Sequence, residues 1–426
     1  MSYSRPIKDK LVSRLAEPPR RIQVLAGPRQ VGKTTLVTQI RAERSSDSIA
    51  YFAADESARA VLSMSFDADN ADAHARGAEQ FTGEWLRSKW DQAEQLAAQW
   101  REKTARMGKP SAFVLVLDEI QKIPNWSELI KGLWERDAAH KAPMHLVLLG
   151  SSPWLMQKGL TESLAGRFET SLMGHWSFEE MNDAFGFTLD EYVYFGGYPG
   201  AAEFKHDELR WKEYVLESLV RTSIEKDILM MARVHKHALL KQLFELGCVY
   251  SGQIMSLTKI MGQLNDAGNT TTLTDYLELL RQAGLLTGLQ KHAATGMRKR
   301  SSPPKFQVMN NALMSAQGTH SLKEALADRS HWGRLVESAV GAHLVNTATT
   351  GTQIHYWNEG GMEVDFVVER GNRLAALEVK SGGIRGPLKG LDHFVDRNKG
   401  CSRWVVGGDE LSLGEFLRYP ASHWVE

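Results

Sequence analysis

Short apolar runs recur along the first part of the chain and predict a sheet of buried strands. They lie at residues 22–26, 48–52, 113–117 and 144–149, and a further strand is predicted at 169–176. Apolar runs of four to eight residues between turn signals are typical of strands covered on both faces. The pattern therefore predicts an α/β domain with a parallel sheet.

The strand pattern stops between about residues 57 and 109, and a helical pattern takes its place. Apolar side chains recur there at alternating steps of four and three residues, which is the spacing of one helix face: Leu86, Trp90, Ala93, Ala97 and Trp100. We expect a helical insertion whose tryptophans pack in the core. The alternative is that the tryptophans contact another protein.

A glycine-rich segment joins the first strand to a predicted helix. It consists of Gly27, Pro28, Arg29, Gln30, Val31, Gly32, Lys33, Thr34 and Thr35. This G-x-x-x-x-G-K-[ST] spacing between a strand and a helix indicates a P-loop, in which backbone N–H groups and the helix N-terminus surround phosphate. Lys33 is expected to reach the β and γ phosphates of ATP, and the Thr34 hydroxyl is expected to bind Mg²⁺.

An acidic pair follows the third apolar run. Asp118, at the end of that strand, is expected to hold Mg²⁺, and Glu119 is expected to orient or deprotonate the attacking water. Ser151 follows the next run and either senses the γ-phosphate or caps a helix. Arg167 either neutralises transition-state charge, in its own or in a neighbouring subunit, or forms a structural salt bridge.

The middle of the chain predicts helices followed by a hairpin. Helices are expected at 207–233, 236–250 and 254–264, and another begins near Thr272. Two short strands, at 285–289 and 305–308, flank the basic segment 297–304. This order suggests a winged helix whose basic tip either contacts DNA phosphates or is a solvated loop.

The last hundred residues place acidic side chains on a helix and on two paired strands. Glu337 lies on the helix, Asp365 on one strand, and Glu378 and Lys380 on the next. Asp365 and Glu378 are expected to bind Mg²⁺, with Glu337 holding a metal-bound water. Lys380 points to the same face as Glu378 and is expected to activate water or to stabilise phosphorane charge. The alternative is a nuclease fold that has lost its activity.

Composition limits the classes of protein that fit these motifs. The 426 residues are too many for one ordinary core. Lys and Arg together number 51, as do Asp and Glu, so a nucleic-acid surface must be local. Cys248 and Cys401 are the two cysteines, which excludes a disulfide framework and fits a cytoplasmic protein. No apolar run approaches a membrane span, and the N-terminus lacks the apolar core of a secretory signal.

Together the motifs resemble those of prokaryotic P-loop ATPases of the AAA superfamily with a PD-(D/E)xK nuclease-like C-terminal region. The segments that carry the resemblance are GPRQVGKTT, LVLDEIQKIPNW, GSSPWLM, LAGRF, GGYP, EVDFVV and LEVKS. The resemblance implies an AAA-type ATPase domain at 1–205, a winged-helix domain at 206–322 and a nuclease-like domain at 323–426. It departs at Asn310 and Asn311, where relatives often have an acidic residue.

Two functional hypotheses follow. The first is a homo-oligomeric ATP hydrolase that binds ATP between subunits and acts on DNA, with a Mg²⁺-dependent nuclease site at its C-terminus. The second is a nucleotide-dependent switch or scaffold that binds a protein partner and whose C-terminal domain is a non-catalytic binding module. A metabolic kinase is disfavoured because it leaves the C-terminal residue set unexplained.

Overall fold

The computed structural model describes residues 3–54, 82–108, 111–139, 144–151, 153–228, 234, 236–265, 269–293, 302–382 and 386–426. The chain divides into two units, Met1–Met173 and Gly174–Glu426. Among the described residues, no helix is long and apolar enough to cross a lipid bilayer.

Five parallel strands form the sheet of the first unit. They are β1 (Ile22–Ala26), β2 (Ile49–Ala53), β3 (Val114–Asp118), β4 (His145–Gly150) and β5 (Phe168–Leu172), in the order β2-β3-β4-β1-β5. Strands β1, β3 and β4 are buried along their whole length, as expected when helices cover both faces. The predicted parallel sheet is confirmed, although β5 is shorter than the pattern indicated.

The helices of the first unit include the predicted insertion. They are α1 (Ile7–Ala16), α2 (Lys33–Glu43), α3 (Gly83–Arg106), α4 (Trp126–Ala139) and α5 (Pro153–Ser163). The Thr82 hydroxyl caps α3 by accepting from the Trp85 N–H. The predicted apolar face is buried in the core of the unit, which confirms core packing for its tryptophans. Residues 57–81 and 109 of the insertion lie outside the described residues.

The described helices of the second unit lie both before and after its strands. They are α6 (Phe178–Phe185), α7 (Leu189–Phe195), α8 (Glu208–Glu213), α9 (His237–Val249), α10 (Leu257–Met261), α11 (Thr270–Gln282), α12 (Ala312–Gln317), α13 (Leu322–Ala327), α14 (Arg329–Thr347), α15 (Lys389–Arg397) and α16 (Leu413–Phe416). Helix α8 continues into π-helical turns at Tyr214–Arg221 and Ser223–Ile228, while residues 229–233 of the predicted helix lie outside the described residues.

Six strands form the sheet of the second unit. They are β6 (Leu286–Lys291), β7 (Lys305–Val308), β8 (Thr352–Glu359), β9 (Met362–Arg370), β10 (Arg373–Val379) and β11 (Ser402–Val406), in the order β11-β10-β9-β8-β6-β7. Strands β8, β9 and β10 form an antiparallel meander, and β11 is parallel to β10. The helix that carries Glu337 and the paired strands that carry Asp365 and Glu378 are present as the sequence predicted.

The predicted hairpin exists, but it belongs to this larger sheet. Strands β6 and β7 are antiparallel, with Leu286 opposite Val308. Strand β6 also pairs in parallel with β8, where Gln290 lies opposite His355. The C-terminal strands thus supply hydrogen-bond partners to one edge of the hairpin. The winged-helix assignment stays a prediction, and residues 297–301 of its basic tip lie outside the described residues.

The division between the units differs from the predicted boundaries at 205/206 and 322/323, because polar side chains tie residues 174–205 to later elements. The Asn310 side chain accepts from the Gly197 N–H at 3.1 Å and lies 3.2 Å from His175 Nδ1. The Asn311 amide donates to the carbonyls of Val193 and Leu335 at 2.7 and 2.8 Å. The two asparagines therefore hold the second unit together.

Candidate functional site

Three of the predicted nucleotide-site segments meet at one edge of the first sheet. Strand β4 lies between β1 and β3, and all three are parallel, so their carboxyl ends share this edge. Ala26 lies opposite Gly150, and Asp118 lies opposite Leu149. The P-loop, the acidic pair and Ser151 are therefore brought together, at the place where open α/β sheets bind ligands.

The P-loop needs its two glycines for different reasons. A Cβ on Gly27 would lie 2.2 Å from the Met173 carbonyl oxygen, and Gly32 has a left-handed φ of 89°. The buried Lys33 ammonium donates to the carbonyls of Gly27 and Pro28 at 2.8 and 2.7 Å. The described first turn of α2 contains no acidic side chain, so no carboxylate of that turn offsets its positive end.

Asp118 is held by three donors. Its Oδ2 accepts from the Thr34 hydroxyl at 3.0 Å and from the Tyr51 hydroxyl, and its Oδ1 accepts from the Glu119 N–H at 2.8 Å. Burial and the Glu119 carboxylate raise the pKa of Asp118, although Tyr51, Lys33 and Thr34 oppose the shift. Burial and Asp118 also raise the pKa of Tyr51, so its hydroxyl remains a donor. Sequence reasoning missed Tyr51.

Glu119 sits on a strained turn beside two polar side chains. Its φ of 53° is left-handed, which is unusual for a residue other than glycine and often marks a functional site. Its Oε2 accepts from the Ser151 hydroxyl at 2.9 Å and from the Gln121 amide at 2.6 Å. Ser151 thus contacts the predicted catalytic acid, and Gln121 is a second residue that sequence reasoning missed.

Arg167 is not part of this constellation within one chain. Its carbonyl accepts from the N–H of Ile22, the first residue of β1, so it lies at the opposite edge of the sheet from the P-loop. Its guanidinium pairs with Glu135 at 2.6 Å on the surface. The structure therefore shows the salt bridge, and a role in a neighbouring subunit stays a prediction.

The second unit brings together the four residues predicted for the C-terminal site. Helix α14 carries Glu337, β9 carries Asp365, and Glu378 lies on β10 with Lys380 just after it. Asp365 Oδ2 accepts from the Val379 N–H at 2.8 Å. Lys380 Nζ donates to Glu378 Oε1 at 2.7 Å. We call this set, together with Glu363 and Lys305, the acid–lysine cluster.

Lys305, from strand β7, is the member of this cluster that sequence reasoning missed. Its side chain is 0% exposed, and its Nζ lies 2.6 Å from Glu337 Oε1. It also donates to the Asp365 carbonyl at 3.1 Å and lies 3.8 Å from Asp365 Oδ1 and 3.9 Å from Glu363 Oε1. The sequence offers one clue to this residue, which is a lysine in the four-residue strand 305–308. That strand was assigned to the hairpin, so its lysine was not connected with the C-terminal acids.

Burial and the crowding of like charges raise the pKa of three acids of the cluster, Glu337, Glu363 and Glu378. Burial and the Asp365 carboxylate raise the pKa of Glu337 to about 7, even though Lys305 opposes the shift. The same two causes raise the pKa of Glu378, against Lys380. Burial lowers the pKa of Lys305, but Glu337 and Asp365 more than offset it, so the net shift is upward. The lysine therefore remains a cation.

Both units offer oxygen donors that suit Mg²⁺. In the first unit these are the Thr34 hydroxyl and the Asp118 carboxylate, which adjoin the P-loop. In the cluster they are the carboxylates of Glu378 and of Asp365, whose Oδ2 accepts from the Val379 N–H. Mg²⁺ is commonly bound by one or two carboxylates and water, so these residues fit. Among the described residues, however, no group of three or more His, Cys, Asp or Glu side chains is arranged to hold a metal ion.

Comparison with family models divides the chain into three segments. Residues 19–182 match the model described as AAA domain. Residues 186–323 and 332–420 each match a domain of unknown function, DUF8612 and DUF4143. The first segment contains the P-loop, the acidic pair, Ser151 and Arg167, and the chain has an AAA-type P-loop core.

Two curated relatives are themselves uncharacterized. The proteins Rv2008c of Mycobacterium tuberculosis and Mb2031c of Mycobacterium bovis are each 26% identical to this chain over 273 residues. The match covers 63% of this chain and 58% of each relative. The chain thus spans less than two thirds of the length of the curated relatives it matches.

Similar solved structures include three proteins of low sequence identity to this chain. The Aeropyrum pernix ORC1 protein in complex with DNA is 15% identical to this chain. The match covers 77% of this chain and 93% of the ORC1 chain, with a TM-score of 0.28. A Thermotoga maritima RuvB is 18% identical; the match covers 67% of this chain and 89% of the RuvB chain, with a TM-score of 0.34. AMPPCP-bound DnaA from Aquifex aeolicus is 12% identical; the match covers 65% of this chain and 86% of the DnaA chain, with a TM-score of 0.30. Scores this low carry no functional inference.

Proposed function

We propose that this chain, with its AAA-type P-loop core, binds ATP at Gly27–Thr35 and hydrolyses it at the shared edge of β1, β3 and β4. One observation carries the proposal. The Asp118 carboxylate is joined to the Thr34 hydroxyl at 3.0 Å, and the adjacent Glu119 carboxylate is held by Ser151 at 2.9 Å. A metal-binding pair and an oriented carboxylate thus adjoin a phosphate-binding loop, which is the set that phosphoryl transfer to water requires.

Each residue has a distinct task in this reaction. The loop N–H groups and the α2 N-terminus hold the phosphates, and the Lys33 ammonium exchanges its loop carbonyls for phosphate oxygens. Thr34 and Asp118 would hold Mg²⁺, which would supply positive charge to offset that of the phosphates. Glu119 orients the attacking water and accepts its proton, and Ser151 keeps the Glu119 carboxylate directed toward that water.

Lys33→Ala tests the binding half of this proposal. Without the ammonium, the phosphates lose a buried positive partner, so ATP turnover should fall by about 10²-fold or more. Turnover is measured by phosphate release and ATP binding by equilibrium dialysis. Lys10→Ala, which changes an exposed lysine on α1, is the matched control and should leave both unchanged. Equal turnover in the two variants would show that ATP is not hydrolysed at this loop.

A second activity is supported by a separate observation, the convergence of Glu337, Asp365, Glu378 and Lys380 in one cluster. We infer that this cluster cleaves phosphodiester bonds of DNA. Asp365 and Glu378 would hold Mg²⁺, which supplies Lewis acidity at the scissile phosphate. Lys380, whose side chain is 33% exposed, is placed to meet the developing phosphorane charge. The competing hypothesis is a nucleotide-dependent switch whose cluster is a non-catalytic binding surface.

Labelled single-stranded, duplex and branched DNA separate these two hypotheses. The full chain should cut one or more of them with Mg²⁺, and Asp365→Asn should lose the cutting because the metal loses a carboxylate. Asp396→Asn, at an exposed aspartate of α15, is the control and should cut like the wild type. If the wild type cuts nothing while it hydrolyses ATP, the switch hypothesis replaces the nuclease. Reactions with and without ATP show whether the two activities are coupled.

A further inference from the structure

Lys305 places a permanent positive charge inside the acid–lysine cluster. Its side chain is 0% exposed, and its Nζ lies 2.6 Å from Glu337 Oε1 and 3.8 Å from Asp365 Oδ1. The ammonium also lies 4.7 Å from the centre of the Phe366 ring, whose face attracts cations. A buried ammonium with partners on several sides does not leave its place without breaking the packing around it.

We infer that Lys305 takes the place of a second divalent cation, so the C-terminal site holds a single metal ion, at Asp365 and Glu378. The inference rests on the proposed phosphodiester cleavage, because it concerns the metal of that same site. Phosphodiester-cleaving sites are often built around two metal ions about 3.5–4 Å apart. Here the second position is filled by a side chain of the protein.

The orientation of Glu337 supports this assignment. A helix-borne carboxylate is the group that the sequence predicts for holding a metal-bound water. In the structure its Oε1 is bound by Lys305 at 2.6 Å. Glu337 thus pairs with Lys305, and among the described residues no three His, Cys, Asp or Glu side chains are arranged to hold a metal ion. Glu337 therefore binds Lys305 rather than a metal-bound water. Lys305 is a positioning residue, because its ammonium holds both the Glu337 carboxylate and the Asp365 backbone carbonyl.

The two lysines of the cluster have different tasks because their exposure differs. Lys380 is 33% exposed and pairs with Glu378 at 2.7 Å, so it is open to a substrate. Lys305 is fully buried on strand β7, where it forms an isolated bridge with Ile254. It is therefore shielded from DNA and acts on the acids alone.

The charges of the cluster also favour one metal ion over two. Four carboxylates, those of Glu337, Glu363, Asp365 and Glu378, surround two ammonium groups. A second divalent ion beside Glu337 and Asp365 would stand next to the Lys305 ammonium, and like charges repel strongly in a buried site.

The number of Mn²⁺ ions bound per chain tests the inference without measuring activity. The full-length chain carries Asp118→Asn to silence the first unit, contains no nucleotide, and is titrated with Mn²⁺ under electron paramagnetic resonance. We expect one tightly bound ion. Asp365→Asn should bind none. Lys305→Met, which removes the ammonium but keeps the side-chain length, should bind two ions with the exchange-coupled spectrum of a shared carboxylate.

The outcomes separate the inference from the proposed nuclease. Two ions in the parent protein would overturn the inference and leave the nuclease proposal standing. If the parent protein binds no Mn²⁺, the proposed metal site does not exist, and the nuclease proposal fails with it. A single ion in a folded Lys305→Met variant would also overturn the inference. If Lys305→Met fails to melt cooperatively, Lys305→Gln keeps a donor for the Asp365 carbonyl and should likewise bind two ions.

Discussion

Tyr51 illustrates how much one residue outside any motif contributes to the nucleotide site. Its hydroxyl donates to Asp118 Oδ2, the oxygen that also accepts from Thr34. Tyr51→Phe removes one of the donors that orient the carboxylate. A hydrogen bond to a charged group contributes about 1.5–3 kcal/mol, so kcat/KM for ATP should fall about tenfold or more. The Mg²⁺ concentration for half-maximal turnover should rise with it, since the carboxylate no longer keeps its orientation.

The Mg²⁺ dependence distinguishes positioning from a general loss of stability. Tyr250→Phe removes a hydroxyl that contacts Gln263 on the surface of the second unit, and it serves as the control. If Tyr51→Phe needs no more Mg²⁺ than this control, Tyr51 does not position Asp118.

At the scale of single residues, the motif spacing predicted the groups that meet at the shared edge of β1, β3 and β4. Lys33 and Thr34 begin α2, Asp118 ends β3 and Glu119 follows it, so their positions depend on local sequence. Tyr51 could not be found in this way because its contact depends on β2 pairing with β3. Lys305 escaped for the same reason, since its partners come from α14 and β9.

At the scale of elements, helices α3 and α4 meet through a buried polar contact. Trp90 Nε1 donates to Asp137 Oδ2 at 3.1 Å, and both side chains are buried. Burial and the neighbouring Glu94 raise the pKa of Asp137 from 3.8 to about 7. The folded state therefore binds a proton more tightly than the unfolded chain does. This group's contribution to stability is present at low pH and is lost as pH rises between about 4 and 7.

Asp137→Asn removes this pH dependence, because an amide keeps an acceptor for Trp90 and never becomes charged. Compared with the variant, the wild type should lose stability between about pH 4 and pH 7. One kcal/mol corresponds to about 2–4 °C of melting temperature in a domain of this size. Melting temperatures measured across this range check the difference, with Asp91→Asn as the exposed control. A wild type that tracks Asp137→Asn at every pH would contradict the shift.

The strands and helices themselves were largely predictable, because each one depends on a local apolar pattern. The α3 stripe and the strands β9 and β10 lie where the sequence predicted them. The pairing of the β6–β7 hairpin with the C-terminal strands was not predictable. Pairing between β6 and β8 depends on which exposed strand edge finds a partner, and the apolar pattern of a strand does not contain that information.

At the scale of the whole molecule, the number of units was the hardest property to predict. Three segments were predicted, and three family models match the chain. The structure nevertheless contains two units, because Asn310 and Asn311 and the shared sheet join the middle segment to the C-terminal one. The middle segment also supplies Lys305 to the acid–lysine cluster. A truncation at the predicted boundary 322/323 would therefore separate this cluster from one of its cations.

ATP turnover by Glu119→Gln is the measurement that tests the central claim most directly. The amide keeps the shape of the side chain but cannot accept a proton from water, so ATP should still bind while turnover falls about 10²-fold or more. Glu162→Gln, at an exposed glutamate of α5, should behave like the wild type. If Glu119→Gln hydrolyses ATP as fast as Glu162→Gln does, the edge formed by β1, β3 and β4 is not the site of hydrolysis.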